Sequence, residues 1–436
     1  MKTRICSLTV LISVLLIGPA VAETDVVLEW NATAVNTAIV NAQSPFAQAR
    51  TTAIVQLAVF EGVNAIRGEY RPYLGIITAP PGASADAAAV AAAHRVLSTY
   101  FPASASTLDA ARANSLGLIA DGQAKVDGIA TGEAAAAAMM LLRANDGSSP
   151  PQFKTPGDIV PGEWQATPSS PTVNGAGVGT FFHWQNVTPF GIPSAQQFLL
   201  DPPPALTSNR FARAYNEVMT VGSLTSAERP PDRADVARFY QSSSPAYVLN
   251  LAARQVAEAQ HRSTSENARA LALVNMAIND SLVASMYNKY HYNFWRPETA
   301  IRAGDTDGNS KTDPDLAFLP FIATPCFPSY PSNHASGTSG GAEVLRRLYG
   351  SSGHSITLSN PAVPGITLQY TSFTEITVDV DDARVYGGIH YRFDQVAGGR
   401  LGRAVANAVY RNNLRRTHSH DGEDGGEDQL EGLSGE

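Results

Sequence analysis

Disulfide chemistry is almost absent from this 436-residue chain, which has two cysteines, Cys6 and Cys326. Cys6 falls in an apolar N-terminal leader, so a processed chain keeps one thiol and must be stabilised by packing. Charge is also sparse, at 16%, against roughly a quarter in ordinary soluble chains. The formal net charge of −8 excludes the basic surface that nucleic acid or an anionic membrane would need. Beyond the leader there is no long uninterrupted apolar run. The best candidate, ALALVNMAINDSLVASMY, is broken by Asn275, Asn279, Asp280 and Ser281, so no anchor is expected after the leader is removed. Strand-like alternation is scarce, and no internal repeat is found.

What is abundant is alanine and other apolar residues, 44% of the chain, enough for a large core. Apolar positions recur at helical spacing over about 46–67, 83–100, 104–127 and 132–146, then 207–221, 232–241, 245–261 and 264–290, and again over 334–349, 372–387 and 392–415. The fold class expected is all-α, with two packed helical bundles. Residues 148–206, dense in Pro, Gly, Ser and Thr, form a long irregular connection placed on the surface.

The ends of the chain are of other kinds. MKTRICSLTVLISVLLIGPAVAET combines Lys2 and Arg4, an apolar run and an Ala-x-Ala end, the parts of a secretory signal peptide over 1–22. The protein is therefore expected to be secreted or periplasmic. The N-terminal bundle and its loops then occupy 23–222 and the C-terminal bundle 223–416, and an acidic, glycine-rich tail over 417–436 has the composition of a disordered segment.

Three segments carry chemistry. KYHYNFWRP places Lys289 and Arg296 seven residues apart, on one face if the helix continues, with Tyr292, Phe294 and Trp295 to hold the long basic side chains. Pro297 stops or redirects that helix. PCFPSYPSNHASGTSGG is a proline-stiffened loop bringing Ser332, Asn333 and His334 to a helix start, where unpaired N–H groups and the dipole favour anions. In DDARVYGGIHYRFDQ, Arg384 precedes His390, and Asp394 follows it by four residues. On a helix that spacing puts carboxylate and imidazole on one face, so Asp394 could fix the ring's tautomer. Gly387 and Gly388 weaken the helix there and permit close backbone approach. Each segment alone could be a solvated pair, a capped helix or an ion network. Together they supply three fixed cations, a hydroxyl, a backbone N–H and two histidines, a set suited to a tetrahedral oxyanion.

The series K-x6-RP, PS-x-H and R-x5-H resembles the vanadium-dependent haloperoxidases and the type 2 phosphatidic acid phosphatases. NFWRP, FPSYPSNH and GIHYRFD are similar to the soluble vanadium chloroperoxidase branch, and LAVFEGVNAIRGEYRPYL looks like the N-terminal bundle of exported relatives. The resemblance implies an oxyanion site in the C-terminal bundle, with vanadate as cofactor bound by Lys289, Arg296, Ser332, the backbone N–H of Asn333, and Arg384. It implies His390 as the vanadium ligand, His334 as acid–base group and Lys289 as the cation polarising bound peroxide. The implied partners are hydrogen peroxide, a halide and a small organic acceptor. Phe327 stands where chloride oxidisers of this family carry Phe and bromide oxidisers often carry His. In the phosphatase alternative, phosphate takes the vanadate position, and His390 forms a phosphohistidine that His334 helps to release. The chain departs from the family pattern at Asn333, usually Gly, and at Ala383, usually Ser.

Other candidates are weaker. DTDGNSKTDPD begins like a calcium loop but has Leu316 where a bidentate Glu belongs, and is read as a polar loop. His354 is read as a surface residue, and His418 and His420 as tail residues. Asn31 and Asn186 open glycosylation sequons.

Overall fold

The computed structural model describes residues 25–168, 170–173 and 175–417. The expected signal peptide and the tail residues 418–436, His418 and His420 included, lie outside them.

The described chain is helical, as expected. Helices α1 (Val26–Val40), α2 (Pro45–Arg67), α3 (Ala85–Tyr100), α4 (Ala105–Gly117) and α5 (Gln123–Leu142) form the N-terminal layer. Their starts follow from local chemistry. The Asp25 carboxylate accepts from Val27 N and Leu28 N, Ser44 and Ser84 cap α2 and α3, and Pro45 occupies the first turn of α2, where its missing N–H costs nothing. α1 falls in a stretch assigned to no element from sequence. The 104–127 and 132–146 helices are instead α4 and α5, divided around Asp121-Gly122, because the small residues of α5 run through the break that was expected near 128–131.

The second series is α6 (Asn209–Val221), α7 (Pro231–Gln241), α8 (Pro245–Ala259), α9 (Thr264–Tyr292), α10 (Pro297–Arg302), α11 (Asn333–Tyr349), α12 (Phe373–Tyr386) and α13 (Arg392–Asn412). Two small antiparallel hairpins, β1–β2 (Thr172–Val173, Ala176–Gly177) and β3–β4 (Ile356–Ser359, Thr367–Tyr370), and four short 3-10 turns complete the described elements. Among the described residues α9 is the one helix long and apolar enough to cross a membrane, yet almost all of it is buried inside the protein. It packs on α2, α11 and α13, so one continuous core joins both helical series. The polar residues that interrupt it are buried, and Asn275, Asn279 and Asp280 are hydrogen-bonded. Asn275 exchanges hydrogen bonds with Asn250, which in turn accepts from Asn31. Asn31 is thus fully buried and its sequon is closed to glycosylation in the folded chain, whereas Asn186 is exposed.

Glycines let α13 lie against α11. A Cβ on Gly398 would stand 2.6 Å from Ser332 O, and one on Gly402 would collide with Ser336 O. That approach places the start of α13 beside the start of α11.

The 148–206 connection runs largely over the surface, as expected, but it is anchored at points along its length. Trp164, Val178, Trp184, Phe190 and Ile192 are buried, and polar residues of α9 hold the segment down. Asp280 accepts from the N–H groups of Phe190, Gly191 and Ile192 at 2.7, 2.6 and 3.2 Å. Asn288 accepts from Leu200 N and donates to Phe198 O. At these anchors the backbone groups are satisfied by buried side chains of α9.

Candidate active site

Lys289 lies in the last turn of α9. The helix ends at Asn293, which adopts the left-handed conformation (φ 47°, ψ 36°), and the chain continues extended to Arg296, the N-cap of α10. Lys289 and Arg296 therefore do not share a helix face. They converge because Asn293 breaks the helix, a residue type that tolerates these angles. The extended stretch is gripped by the connection, with Trp164 N donating to Asn293 O and Trp295 N to Gly162 O. Phe294 and Trp295 pack with Phe211, Tyr391 and Phe393 in a second apolar cluster.

The ring facing the two cations is Phe327, whose centroid is 5.3 Å from Lys289 Nζ and 5.1 Å from Arg296 Cζ. Phe327 also meets Phe46 and Phe181. Lys289 Nζ donates to Pro328 O (2.9 Å) and Ser329 O (2.7 Å). Arg296 Nε donates to Phe327 O and its Nη1 to Ile389 O, both at 2.8 Å. Arg384, near the end of α12, donates from Nη1 to Tyr240 O at 2.9 Å. Gly388, at φ +79°, then turns the chain so that His390 faces back into the same space.

His390 precedes α13 rather than lying on it, so the pairing with Asp394 is not a helix-face contact. Asp394 is the third residue of α13 and reaches back over the helix start, accepting from Tyr391 N at 3.1 Å. The same Oδ2 lies 2.7 Å from His390 Nδ1 and accepts from Ser329 Oγ at 2.6 Å. This fixes the tautomer with the proton on Nδ1 and the lone pair on Nε2. His390 Nε2 stands 2.9 Å from Arg296 Nη1. Ser332 caps α11 by accepting from Ala335 N, and the N–H groups of Asn333 and His334 belong to the helix's first turn, which has no intrahelical acceptors. Asn333 is not left-handed. It is the first residue of α11, and its side chain turns toward α9, accepting from Ser285 Oγ (2.6 Å) and donating to Met286 Sδ (3.4 Å).

The electrostatics are those of a receptor for an anion. Lys289, Arg296, Arg384, Ser332 and His390 are buried, while His334 retains partial exposure. Burial lowers the Arg296 guanidinium to about 10, and burial with the nearby Arg296 charge lowers Arg384 to about 9. Burial and the Arg296 charge also push Lys289 well below its ordinary value. His390 and His334 are driven well below the usual histidine range, first by burial and then by these cations, and so are neutral. Burial raises the Asp394 carboxyl, opposed by Ser329, Lys289 and Arg296.

Arg296 Nη2 and Arg384 Nε are buried without a hydrogen-bond partner, an arrangement that costs stability unless a ligand completes it. A tetrahedral oxyanion fits these residues. It would be met by both orphaned guanidinium donors, by Lys289, by Ser332 and the start of α11, and by the His390 Nε2 lone pair once Arg296 Nη1 turns from it to the ligand. The one carboxylate, Asp394, is already committed to His390, so the donor set suits an anion rather than a bare cation.

All seven residues singled out from sequence as oxyanion-binding or catalytic lie in the three segments that meet here, with Asp394 and Phe327 beside them. Sequence reasoning missed Ser329, which ties Asp394 to the loop and whose carbonyl holds Lys289, and Tyr240, whose carbonyl holds Arg384. Ser329 stood within the loop already quoted; nothing in the sequence marks Tyr240. Cys326 is half-buried, and its carbonyl accepts from Thr180 N and Oγ1.

This arrangement has counterparts. Residues 269–419 match the family described as the VCPO second helical-bundle domain. That match covers about a third of the chain, the C-terminal helices that carry the site. Vanadium chloroperoxidase of Curvularia inaequalis is 30% identical over 188 residues, a stretch covering 36% of this chain and 30% of that protein; the match thus spans under a third of the relative's length. A bacterial vanadium-dependent iodoperoxidase superimposes with a TM-score of 0.76 at 22% identity, over 92% of this chain and 99% of that one. The holo form of a bacterial vanadium-dependent chloroperoxidase gives 0.67 at 16% identity, over 85% and 92%. At these identities the two structures establish the shared haloperoxidase fold, and the match over 269–419 contains every cation and histidine of the site.

Proposed function

We propose that this protein is an exported vanadium-dependent haloperoxidase, oxidising a halide with hydrogen peroxide for transfer to a small organic acceptor. The observation carrying the proposal is the lone pair of His390 Nε2, fixed by Asp394 and Ser329 and set among three buried cations, two of which, Arg296 and Arg384, have unpartnered N–H groups. Bound vanadate would supply Lewis acidity toward peroxide. The chain's own part is to hold the oxyanion's charge with Lys289, Arg296 and Arg384 in a poorly solvated site, where such contacts are strong. Lys289 polarises the oxygen nearest it. His334, neutral and reaching solvent, takes and returns protons. Phe327, flanked by Phe46 and Phe181, keeps the cations dry on the side where halide arrives, which favours oxidation of chloride as well as bromide.

The test is to load purified protein with orthovanadate, measure chlorination and bromination with peroxide, and measure phosphate-ester hydrolysis by the vanadate-free form. Halide oxidation abolished in His390→Ala supports the reading. Hydrolysis with no oxidation of either halide would replace it with a phosphatase acting through His390.

A further inference from the structure

Arg384 is the least anchored of the three cations. Lys289 and Arg296 each donate to two backbone carbonyls, whereas Arg384 donates to one, Tyr240 O. Its Nε is buried without a partner, so the direction in which that donor points is set by the place of Tyr240 O. Tyr240 is the penultimate residue of α7, where carbonyls have no intrahelical donor and the helix dipole favours a cation. Moving the end of α7 therefore re-aims Arg384.

The side chain of Tyr240 is tied separately. Its hydroxyl lies 2.8 Å from the hydroxyl of Tyr370 on β4, and Tyr370 Oη donates to Asp379 Oδ2 at 2.7 Å. A phenol has one proton to give, so Tyr240 is the donor to Tyr370. Burial raises both phenols and keeps them protonated. Asp379 Oδ1 accepts in turn from Arg233 Nη1 at 2.8 Å. Asp379 and Arg384 belong to α12, and Arg233 and Tyr240 to α7. The two helices are thus joined twice at Tyr240, by its carbonyl to Arg384 and by its hydroxyl through Tyr370 to Asp379. Tyr240 and Tyr370 are 1% and 6% exposed, and in so dry a place a broken hydrogen-bond chain is not repaired by solvent.

We propose that Tyr370 is a positioning residue of the oxyanion site, fixing through Tyr240 the carbonyl that aims Arg384 at the ligand. The inference rests on the oxyanion-binding reading of the His390 site. Tyr370 acts there from behind, with its own hydrogen bonds made to Tyr240 and Asp379.

Equilibrium dialysis of orthovanadate against the parent, Tyr370→Phe, Arg384→Met and the double variant tests this, with urea unfolding as the check on folding. Tyr370→Phe should weaken binding about tenfold, as loss of an orienting partner does. In the Arg384→Met background it should weaken binding no further, because a residue that acts through Arg384 then has nothing to aim. Unchanged affinity in Tyr370→Phe, or equal weakening in both backgrounds, would overturn the inference. Should Tyr370→Phe fail to fold, half-buried Asp379 carries the same test. Asp379→Ala removes the acceptor of Tyr370 while Arg233 keeps Asp232 and Asp382, and should weaken binding about as much. Asp379→Asn keeps an acceptor oxygen and should restore it; equal loss in both would count against the chain of hydrogen bonds and overturn the inference. A parent that binds neither orthovanadate nor inorganic phosphate would overturn the oxyanion reading itself, and this inference with it.

Discussion

Arg384→Met tests whether the buried cations exist for a ligand or for the fold. Arg384 is 3% exposed and has one protein hydrogen bond, to Tyr240 O. Holding its guanidinium near 9 instead of 12.5 corresponds to a charging penalty of about 5 kcal/mol. Methionine fills a similar volume, relieves that penalty, and costs about 1–3 kcal/mol for the carbonyl left without its donor. Replacing buried charges by apolar groups of similar size is commonly neutral or stabilising by about 1–4 kcal/mol. The vanadate-free variant is therefore expected to be as stable as the parent or up to about 2 kcal/mol more stable. The same change removes a buried charge-assisted contact to the oxyanion, a loss of about 2–5 kcal/mol, so vanadate affinity should fall about 30-fold or more. Urea unfolding of both proteins, with and without orthovanadate, measures both quantities. A vanadate-free variant destabilised by more than about 2 kcal/mol, with affinity retained, would refute the reasoning and make Arg384 a structural residue.

Ser329→Ala removes the 2.6 Å hydrogen bond to Asp394 and loosens the imidazole, so vanadate affinity should fall about 10-fold or more in equilibrium dialysis, with stability reduced by about 1–3 kcal/mol. His334→Ala should retain vanadate affinity yet lose about two or more orders of magnitude in halide turnover, checked by steady-state bromination. Burial raises the Asp381 carboxyl from 3.8 to about 7. The stability it contributes is complete below pH 4 and is lost as pH rises through 7, so Asp381→Asn should raise the melting temperature more at pH 8 than at pH 5 by calorimetry. Gly402→Ala drives a methyl into Ser336 O and should cost about 1–3 kcal/mol in denaturant unfolding.

The sequence disclosed helices rich in apolar residues at helical spacing, such as α2, α9 and α11, and the three segments of the site, because each brings several charged or polar residues within a few positions of one another. It did not disclose how those spacings are realised. Lys289 with Arg296, and His390 with Asp394, both read as helix-face pairs, yet each is produced by a helix boundary, at Asn293 and at Tyr391. The anchoring of the 148–206 connection was invisible for a related reason. Its composition is that of a loop, and the residues that anchor it, Asp280 and Asn288, lie about ninety positions away; Asp280 was read only as an interruption in an apolar run, and nothing marked Asn288. Ser329 illustrates the remaining limit: a serine two residues after Phe327 carries no periodic signal, and its partner is chosen by tertiary contact.

The grip of Gly162 and Trp164 on the stretch leading to Arg296 bears on modularity. The segment 269–419 carries every charged group of the site, and so looks like a portable catalytic unit. Expressed alone, it would leave Asn293 O and Trp295 N without their partners, the second apolar cluster without Phe211, and Arg384 without the Tyr240 carbonyl. An isolated fragment would present the right residues at the wrong distances. Transplanting this chemistry to another scaffold, or recombining it with the N-terminal half of a relative, requires carrying 162–164, α6 and α7 along with it.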